Sequence, residues 1–598
     1  MKFMSKECEP IETINRIKDI LAKYNLNVCE KNWVDNEMWY SVRLEFENLP
    51  GVGTNGKGIT KEYALASAYA EFMERLQSRS TLKTVFGNKN RSECFFPDEK
   101  LETVEYVYNI SKKLFAFEFI IQKGFNLQQL LHENSDYCYC APFMDLQMNQ
   151  QVNLPMKLIR KLCGTNGLCA GNTETEAVIQ GICEIYERHV HHMIFFEGLQ
   201  ISTIDLGELK HLNCYKQILC LESLGYECFV KDCTAGIFPV IGLVIWDKET
   251  LSYSFTIGAH YDIDIALQRC ITEAFQGYAA NKIEFNRKMT PFTGKDIEVM
   301  LLQDIQDVSY HTEWVRSVVN NTGYEPHSIF HSGQSRIYSD VFLKEGNNDI
   351  AYLYLLEIAE KNGYKVYSRD LSFMGFPTYQ VFISGITAVN YLYNAEFPIL
   401  ANEDRVREVY LNLNGASRFE RAWFFEVLSS LRDIPRYKIY GYPMIFFDLL
   451  LRKPIKALFP DNLLFLSYGY LSLNDLDGAS KYLYLYVKEN NLEDSSRKFA
   501  EALIFAYRYI LYNPNFDGLE KFLPNSIDMC DITDLIKNAK DALSSFELPS
   551  CGDCTACGIK KYCMYEEWEK INGLIQPAMN RFFYRNSKSL TTDINKAF

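Results

Sequence analysis

Three segments of the sequence carry acidic and amide side chains at the same helical spacing. Positions i, i+4 and i+7 lie on one face of an α-helix, so each set would line a single face. The sets are Ser67, Glu71 and Glu74; Gln180, Glu184 and Glu187; and Arg269, Glu273 and Gln276. Carboxylates gathered in such number repel one another unless cations neutralise them. The pattern therefore predicts Mg²⁺, a hard ion that takes oxygen ligands from carboxylates and from nucleotide phosphates.

A solvated surface helix is the alternative interpretation of these segments, because glutamate is a good helix former. Small residues are mixed into the acidic faces, however, as Ala64, Ala68 and Gly181 illustrate. Small side chains favour close packing around the carboxylates over an open surface.

The first two acidic helices follow similar glycine-rich segments, residues 51–60 and 164–173, and both end in Glu-x-x-Glu-Arg. We expect each segment to be a loop that leads into a helix, where free N–H groups can contact an anion. The first segment also matches parts of the Walker A and dinucleotide patterns. Gly58 stands where Walker A needs a hydroxyl, and Pro50 separates the preceding strand from the glycines, so both interpretations fail.

The elements that must position these motifs are predicted from hydrophobic periodicity. Helices are expected over residues 9–24, 61–75, 174–188, 216–223 and 264–276, and strands over 39–45, 226–231, 239–246, 253–258, 364–370 and 378–383. Residues 88–157 show no clear pattern. The alternation of helices and strands favours an α/β or α+β fold class.

The C-terminal part has a different character. Apolar-periodic helices over residues 462–471, 479–489 and 495–511, joined by short polar loops, predict an all-α, tetratricopeptide-like region. The expected domains are an ATP/Mg-binding catalytic domain over 1–435, this helical region over 436–545 and a cysteine-rich segment over 546–598.

Four cysteines lie close together near the C-terminus, at Cys551, Cys554, Cys557 and Cys563. The spacing is tighter than that of a zinc ribbon and nearer to a ferredoxin-like run, so an iron–sulfur cluster is favoured over zinc. Reduced cysteines without a metal remain a third interpretation.

Taken with Asn172, the three acidic motifs resemble the nucleotide and magnesium motifs of the YcaO family in order and internal spacing, over most of the first 400 residues. The resemblance implies a YcaO-type ATP-binding domain. It implies Mg²⁺ ligands at Glu71, Glu74, Glu184, Glu187 and Glu273. It implies nucleotide contacts from Lys6, Thr13, Ser67, Arg75, Asn172, Arg188, Arg269 and Gln276, in addition to the glutamates. Catalysis would rest on Glu71, Arg75, Glu184 and Arg188. Cys169 departs from the pattern by replacing a small hydroxyl residue.

The activity that the resemblance implies is activation of a peptide amide. A nucleophile adds to the carbonyl, the oxyanion attacks ATP, and loss of phosphate gives an azoline or a thioamide. The substrate would be a ribosomally made peptide or protein. The chain ends without the proline-rich tail of stand-alone cyclodehydratases and has no fused leader-binding domain, so a partner protein is expected, with a homodimer left open. The alternative is an ATP-binding accessory factor for a modification enzyme, such as one that methylthiolates a ribosomal protein.

Composition restricts the class of protein further. At 598 residues the chain is too long for a single hydrophobic core, so two or more domains are expected. Its net charge of −14 argues against non-specific binding to nucleic acid. Neither a signal peptide nor a membrane span is evident, so a cytoplasmic protein is expected. His189, His191 and His192 lack partners at metal-ligand spacing and are interpreted as packing or surface residues.

Overall fold

A computed structural model describes residues 6–35, 38–80, 96–115, 137–275, 289–291, 313–314, 316–317, 324–331, 333, 341–389, 405–432, 461–550, 554–555 and 557–594, with side chains to residue 584 in the last segment. The described helices are α1 (Pro10–Lys23), α2 (Lys61–Gln77), α3 (Val104–Leu114), α4 (Met156–Cys163), α5 (Glu174–Phe196), α6 (Tyr215–Ser223), α7 (Ile263–Ala274), α8 (Asn348–Lys361), α9 (Arg418–Ser430), α10 (Asn462–Ser472), α11 (Leu476–Glu489), α12 (Asp494–Tyr512), α13 (Met529–Lys537) and α14 (Tyr565–Ile594).

The described strands are β1 (Val28–Asp35), β2 (Tyr40–Phe46), β3 (Gly53–Gly58), β4 (Lys100–Thr103), β5 (Tyr137–Asp145), β6 (Gln150–Pro155), β7 (Leu168–Ala170), β8 (Ser202–Thr203), β9 (Glu227–Asp232), β10 (Val240–Asp247), β11 (Ser252–Ala259), β12 (Thr290–Pro291), β13 (Val366–Asp370) and β14 (Thr378–Ile383). They form a sheet of order β1-β2-β3, a second of order β12-β11-β10-β9-β8 and a third of order β4-β5-β13-β14-β7, with β6 beside β5. The ladders between these strands are antiparallel. Of the two predicted fold classes, α/β and α+β, the structure therefore has the α+β class.

The chain divides into two compact units. One comprises residues 1–83, 91–392 and 566–598, and the other residues 84–90 and 393–565. All three sheets belong to the first unit. One of its core clusters packs apolar side chains of α5 and α8 with those of β10, β11 and β14, as Ile182, Leu355 and Val381 illustrate. The three-domain division over residues 1–435, 436–545 and 546–598 stays a prediction.

The first glycine-rich segment is a strand where a loop was expected. Residues 53–58 form β3, which pairs with β2 so that Gly56 lies opposite Val42. A Cβ atom on Gly56 would lie 2.0 Å from the carbonyl oxygen of Ala64 in α2. The glycines therefore allow the strand to lie directly on the helix backbone, a role that the sequence pattern alone does not distinguish from loop flexibility.

Residues 88–157 contain elements that periodicity did not reveal. In this region lie β4, α3, β5 and β6, while residues 88–95 and 116–136 are outside the described residues. Strand β5 contacts β4, β6 and β13 and contains Pro142 in its interior. A proline inside a strand argues against a strand when only the sequence is considered.

In the second unit, helices α10, α11 and α12 confirm the three predicted C-terminal helices within a few residues. Leu471, Leu483 and Leu503 contribute one from each helix to a common apolar cluster. Whether the unit is tetratricopeptide-like stays a prediction. Among the helices that the structure describes, none has both the length and the apolar composition needed to cross a membrane.

Candidate functional site

Three strand-to-helix units carry the acidic motifs, and each is built in the same way. Strands β3, β7 and β11 lead into α2, α5 and α7, whose N-terminal caps are Thr60, Thr173 and Asp262. Each cap side chain accepts a hydrogen bond from a backbone N–H of the first helical turn. The threonine shared by the two repeated segments is thus a helix cap in both.

A glycine just before each helix allows close contact with its first turn. A Cβ atom on Gly58 would lie 2.5 Å from the backbone nitrogen of Ala64, and one on Gly171 would lie 2.7 Å from that of Ala177. At the third unit, a Cβ atom on Gly258 would lie 2.3 Å from the carbonyl oxygen of Ala266. The Gly-x-Thr pattern of the first two units, and Gly258 in the third, therefore fix how each helix leaves its strand.

Glutamates from α2 and α5 lie within electrostatic range of each other. Burial raises the pKa of Glu74 well above its usual range; Glu71 and Glu184 raise it further, whereas Arg75 opposes the rise. Burial also raises the pKa of Glu184, although Arg188 and Arg75 lower it. The structure thus brings the first two predicted motifs together as a compact cluster of half-buried carboxylates, and Arg269 of the third motif also acts on Glu184.

Arginines of the motifs neutralise part of this negative charge. Arg75 Nη2 lies 3.5 Å from Glu71 Oε1, and Arg75 Nε lies 3.4 Å from Glu74 Oε1. Burial alone would lower the pKa of Arg75, but the two glutamates outweigh it and raise the pKa. In the third motif, Arg269 Nη1 donates a 2.6 Å hydrogen bond to Gln180 Oε1, which joins α7 to α5.

Lys57 is a charged residue of the site that the sequence analysis missed. Its ammonium group contacts the carboxylate of Glu273 and connects β3 to α7. Burial, with Arg269 nearby, lowers the pKa of Lys57 to about 7, whereas Glu187 and Glu71 oppose the shift. Its sequence signal is a lysine between two glycines, which by itself matches only part of a phosphate-loop pattern.

The predicted N-terminal nucleotide contacts do meet the second motif. Thr13 Oγ1 donates a 2.8 Å hydrogen bond to Asn172 Oδ1, and Lys6 Nζ lies 3.0 Å from Glu176 Oε1. Asn172 Nδ2 in turn donates to Glu176 Oε2 at 3.2 Å. Glu176, a buried residue of the first turn of α5, was missed because its spacing does not match the other glutamates. Arg16 was missed too, and its Nη1 donates to the carbonyl oxygen of Asn172 at 2.9 Å.

The remaining predicted residues have less defined contacts. Ser67 and Arg188 are half-buried on α2 and α5, and Glu187 Oε2 accepts a 3.2 Å hydrogen bond from the Ala259 N–H. Gln276 lies outside the described residues. Cys169 is buried, and its thiol contacts the carbonyl oxygen of Tyr379 at 3.5 Å.

The histidines after the second motif pack against neighbouring groups. His191 Nε2 lies 3.2 Å from Glu325 Oε2 in the buried interior. Burial, with His192 nearby, lowers the pKa of His189 to about 4. These environments agree with packing roles.

The described C-terminal cysteines differ in exposure. Cys554 is exposed, Cys557 and Cys563 are half-buried, and Cys551 lies outside the described residues. Over the described ranges, no group of three or more histidine, cysteine, aspartate or glutamate side chains is arranged to hold a metal ion. The iron–sulfur or zinc site stays a prediction.

The residue types of the acidic cluster fit Mg²⁺ with a nucleotide, although over the described residues its carboxylates are not already arranged around one metal position. Its anionic members are carboxylates, which are the hard oxygen ligands that Mg²⁺ prefers, and they approach from three separate helices. Arg75, Arg188 and Arg269 provide guanidinium groups suited to phosphate oxygens. Bound Mg²⁺ would neutralise the negative charge of the carboxylates, and the nucleotide phosphates would neutralise the positive charge of the arginines.

The fold is α+β, and the donor set suits a nucleotide with Mg²⁺. The family model described as YcaO cyclodehydratase, ATP- and Mg²⁺-binding, matches residues 55–387, and the chain belongs to this family. The family resemblance inferred from the acidic motifs is thereby confirmed.

Similar proteins include one curated relative and two solved structures. The chain is 27% identical over 440 residues, 71% of this chain and 72% of the relative, to the ribosomal protein S12 methylthiotransferase accessory factor YcaO of Escherichia coli K12. YcaO from Methanopyrus kandleri, solved with AMPPCP and Mg²⁺, is 17% identical with a TM-score of 0.40, over 64% of this chain and 93% of that one. A heterocyclase solved with substrate and cofactor is 16% identical with a TM-score of 0.43, and the match covers 64% of this chain but only 53% of the heterocyclase.

Proposed function

We propose that the protein is an ATP- and Mg²⁺-dependent enzyme that activates a backbone amide of a peptide or protein by phosphorylating the amide oxygen. The product would be an azoline from a Cys, Ser or Thr side chain, or a thioamide from sulfide. The observation that supports this most is the meeting of acidic and arginine-bearing motifs in one site, in a chain of the cyclodehydratase family.

Five glutamates, Glu71, Glu74, Glu184, Glu187 and Glu273, would hold Mg²⁺. The bound ion would supply neutralisation of charge on the phosphates during phosphoryl transfer. The buried setting of Glu74 and Glu184 favours this role, because taking a cation relieves the cost of two unneutralised carboxylates in a low-dielectric site.

The arginines would act on the transferring phosphoryl group. Arg75 is held by Glu71 and Glu74, so its guanidinium is already oriented before substrate arrives. Pre-oriented charges in a buried site stabilise developing negative charge without reorganisation. Arg188 and Arg269 would act in the same way from α5 and α7.

The nucleotide itself would be positioned by polar groups around Asn172. Thr13 and Lys6 reach this region from the N-terminal segment. Ser67 and Gln276 complete the proposed set.

An accessory role is the second candidate function, and the name of the Escherichia coli relative favours it. In that case the chain would bind ATP and Mg²⁺ in support of a separate modification enzyme. Under either function we infer a partner protein that delivers the peptide or protein substrate, with a homodimer left open. The described cysteines are free thiols, which supports a reducing cytoplasmic location.

The proposal is tested by Mg²⁺-dependent ATP binding and by phosphate release with candidate peptides and partners. We expect Glu184→Gln to weaken Mg²⁺-dependent ATP binding at least about tenfold, since it removes a charged ligand. Glu62→Gln is the matched control, because Glu62 is an exposed residue of α2. Wild-type binding of ATP without turnover in any mixture would support the accessory function, and equal ATP binding by both variants would contradict the site.

The C-terminal cysteines Cys551, Cys554, Cys557 and Cys563 are a separate part of the proposal. We infer an iron–sulfur cluster, with zinc as the alternative, and the support is their close spacing in the sequence. Anaerobically purified protein should show a broad visible absorption band and bound iron. Stoichiometric zinc without that band would favour the alternative, and the absence of both metals would reject the site.

A further inference from the structure

Lys57 connects the acidic cluster to a strand that carries none of the predicted glutamates. It lies in β3 between Gly56 and Gly58, and both glycines bring the strand into backbone contact with α2. From this fixed base its ammonium group contacts Glu273 on α7. Lys57 thus contacts a glutamate that the proposed function assigns to Mg²⁺ from a strand packed directly on α2.

Arginines and glutamates both surround the ammonium group of Lys57. Arg269 and Arg188 lower its pKa in addition to burial, whereas Glu187 and Glu71 raise it. Three cations from β3, α5 and α7 therefore share a small region. Such crowding of like charges is favourable only beside anions, and in this protein the contacted anion is the Glu273 carboxylate.

We propose that Lys57 is the counter-ion of Glu273 in the nucleotide-free protein and that its ammonium group moves from Glu273 to contact a phosphate oxygen of ATP when Mg²⁺ binds the carboxylate. This inference rests on the proposed function. An ammonium group and a divalent cation on one carboxylate repel each other, so binding of Mg²⁺ expels Lys57. The polyphosphate brought by the nucleotide is the anion then within reach, and Arg188 and Arg269 lie close enough to act on the same region.

Two opposite effects follow for the variant Lys57→Gln. Without nucleotide, loss of the competing ammonium group should tighten binding of Mn²⁺, used as the spectroscopic probe for Mg²⁺, by about tenfold. With saturating Mg²⁺, loss of the phosphate contact should weaken binding of AMPPCP by about tenfold, the size expected for one charge-assisted hydrogen bond. A merely structural lysine would not change the two affinities in opposite directions.

The matched control is Lys61→Gln. Lys61 is four residues further along the chain, is 57% exposed and pairs with Asp35 at 2.7 Å. This variant removes the same charge from the protein but leaves Glu273 untouched, so both affinities should equal those of the wild type. Lys57→Arg should restore most of the AMPPCP affinity, because it keeps a positive charge at the position.

Amine acylation of the wild-type protein, followed by mass spectrometry, keeps the test independent of whether the variant folds. Mn²⁺ alone should increase the acylation rate of Lys57, since its ammonium group leaves Glu273, and Mg²⁺ with AMPPCP should decrease it. Lys61 should react at one rate throughout. If AMPPCP binds but neither Mn²⁺ alone nor Mg²⁺ with AMPPCP changes the acylation rate of Lys57, the proposed role of Lys57 is overturned and the proposed function stands. Failure of the wild type to bind AMPPCP with Mg²⁺ would overturn both.

Discussion

Charged side chains in the interior of this protein are held by specific partners, both in the acidic cluster and away from it. In the cluster, Arg75 contacts two glutamates of its own helix. Away from it, Lys231 in β9 is 1% exposed and donates hydrogen bonds to Thr203 Oγ1 at 2.7 Å and to the His331 carbonyl oxygen at 2.9 Å. Neither partner of Lys231 carries a charge.

The stability conferred by Lys231 should therefore depend on pH. Burial lowers the pKa of Lys231 to about 8, from 10.5 in an exposed lysine. Between these values the unfolded chain holds a proton that the folded chain has released, so stability rises with pH, by at most ~1.4 kcal/mol per pH unit. We expect the free energy of unfolding of the wild type, relative to Lys231→Met, to increase from pH 8 to pH 10.

The difference between the two proteins is the quantity to measure, because other groups titrate in both. Denaturant unfolding at several pH values would provide it. A difference that stays constant over this range would show that Lys231 keeps its proton in the folded state.

At this scale the sequence predicts residue types better than partners. Helical spacing identifies Glu71, Glu74 and Glu184 because spacing is a local property of the chain. It does not identify Lys57 or Glu176, since their importance comes from contacts with residues that are distant in the sequence.

Among the elements, the strand-to-helix units determine where the site residues lie. Gly58, Gly171 and Gly258 each bring the end of a strand against the first turns of a helix. Close approach of two backbones leaves no room for a Cβ atom, so glycine is needed for a steric reason and not for flexibility.

Replacing Gly58 with alanine should destabilise the unit of residues 1–83, 91–392 and 566–598, which carries the proposed nucleotide site and is called the nucleotide-binding unit below. The new Cβ atom would lie 2.5 Å from the Ala64 nitrogen, and backbone atoms cannot move aside cheaply. We expect a loss of at least ~2 kcal/mol in the free energy of unfolding, as for other overpacked sites. Mg²⁺-dependent AMPPCP binding should weaken as well, because α2 shifts with its glutamates.

The control is Gly573→Ala in α14, where a Cβ atom meets nothing within 4 Å. Alanine is the better helix former, so this variant should be as stable as the wild type or more stable by up to ~1 kcal/mol. Equal thermal melting of Gly58→Ala and Gly573→Ala would contradict the steric role.

For the molecule as a whole, the C-terminal helix joins the unit formed by the N-terminal two-thirds of the chain. Residues 566–598 are grouped with residues 1–83 and 91–392. Arg79, just after α2, donates to Asn572 Oδ1 at 3.1 Å, and the rings of Phe96 and Phe583 lie 5.1 Å apart.

Truncating this aromatic contact should therefore weaken the nucleotide-binding unit. Phe583 is 2% exposed, so Phe583→Ala should lower the free energy of unfolding by ~3 kcal/mol or more. The temperature at which the protein loses bound AMPPCP should fall as well. The neighbouring Tyr584 is 59% exposed, so Tyr584→Ala should change stability by less than ~0.5 kcal/mol. Similar melting of both variants would show that α14 does not support this unit.

By itself, the sequence determined the family, the three acidic motifs and the positions of most helices outside residues 88–157. These features depend on residue type and on spacing along a few turns, which short stretches of chain already contain. Only the tertiary structure decided that residues 53–58 form a strand, that Lys57 meets Glu273 and that α14 packs beside Phe96. Each of these depends on contacts between segments far apart in the chain, and local periodicity carries no information about such contacts.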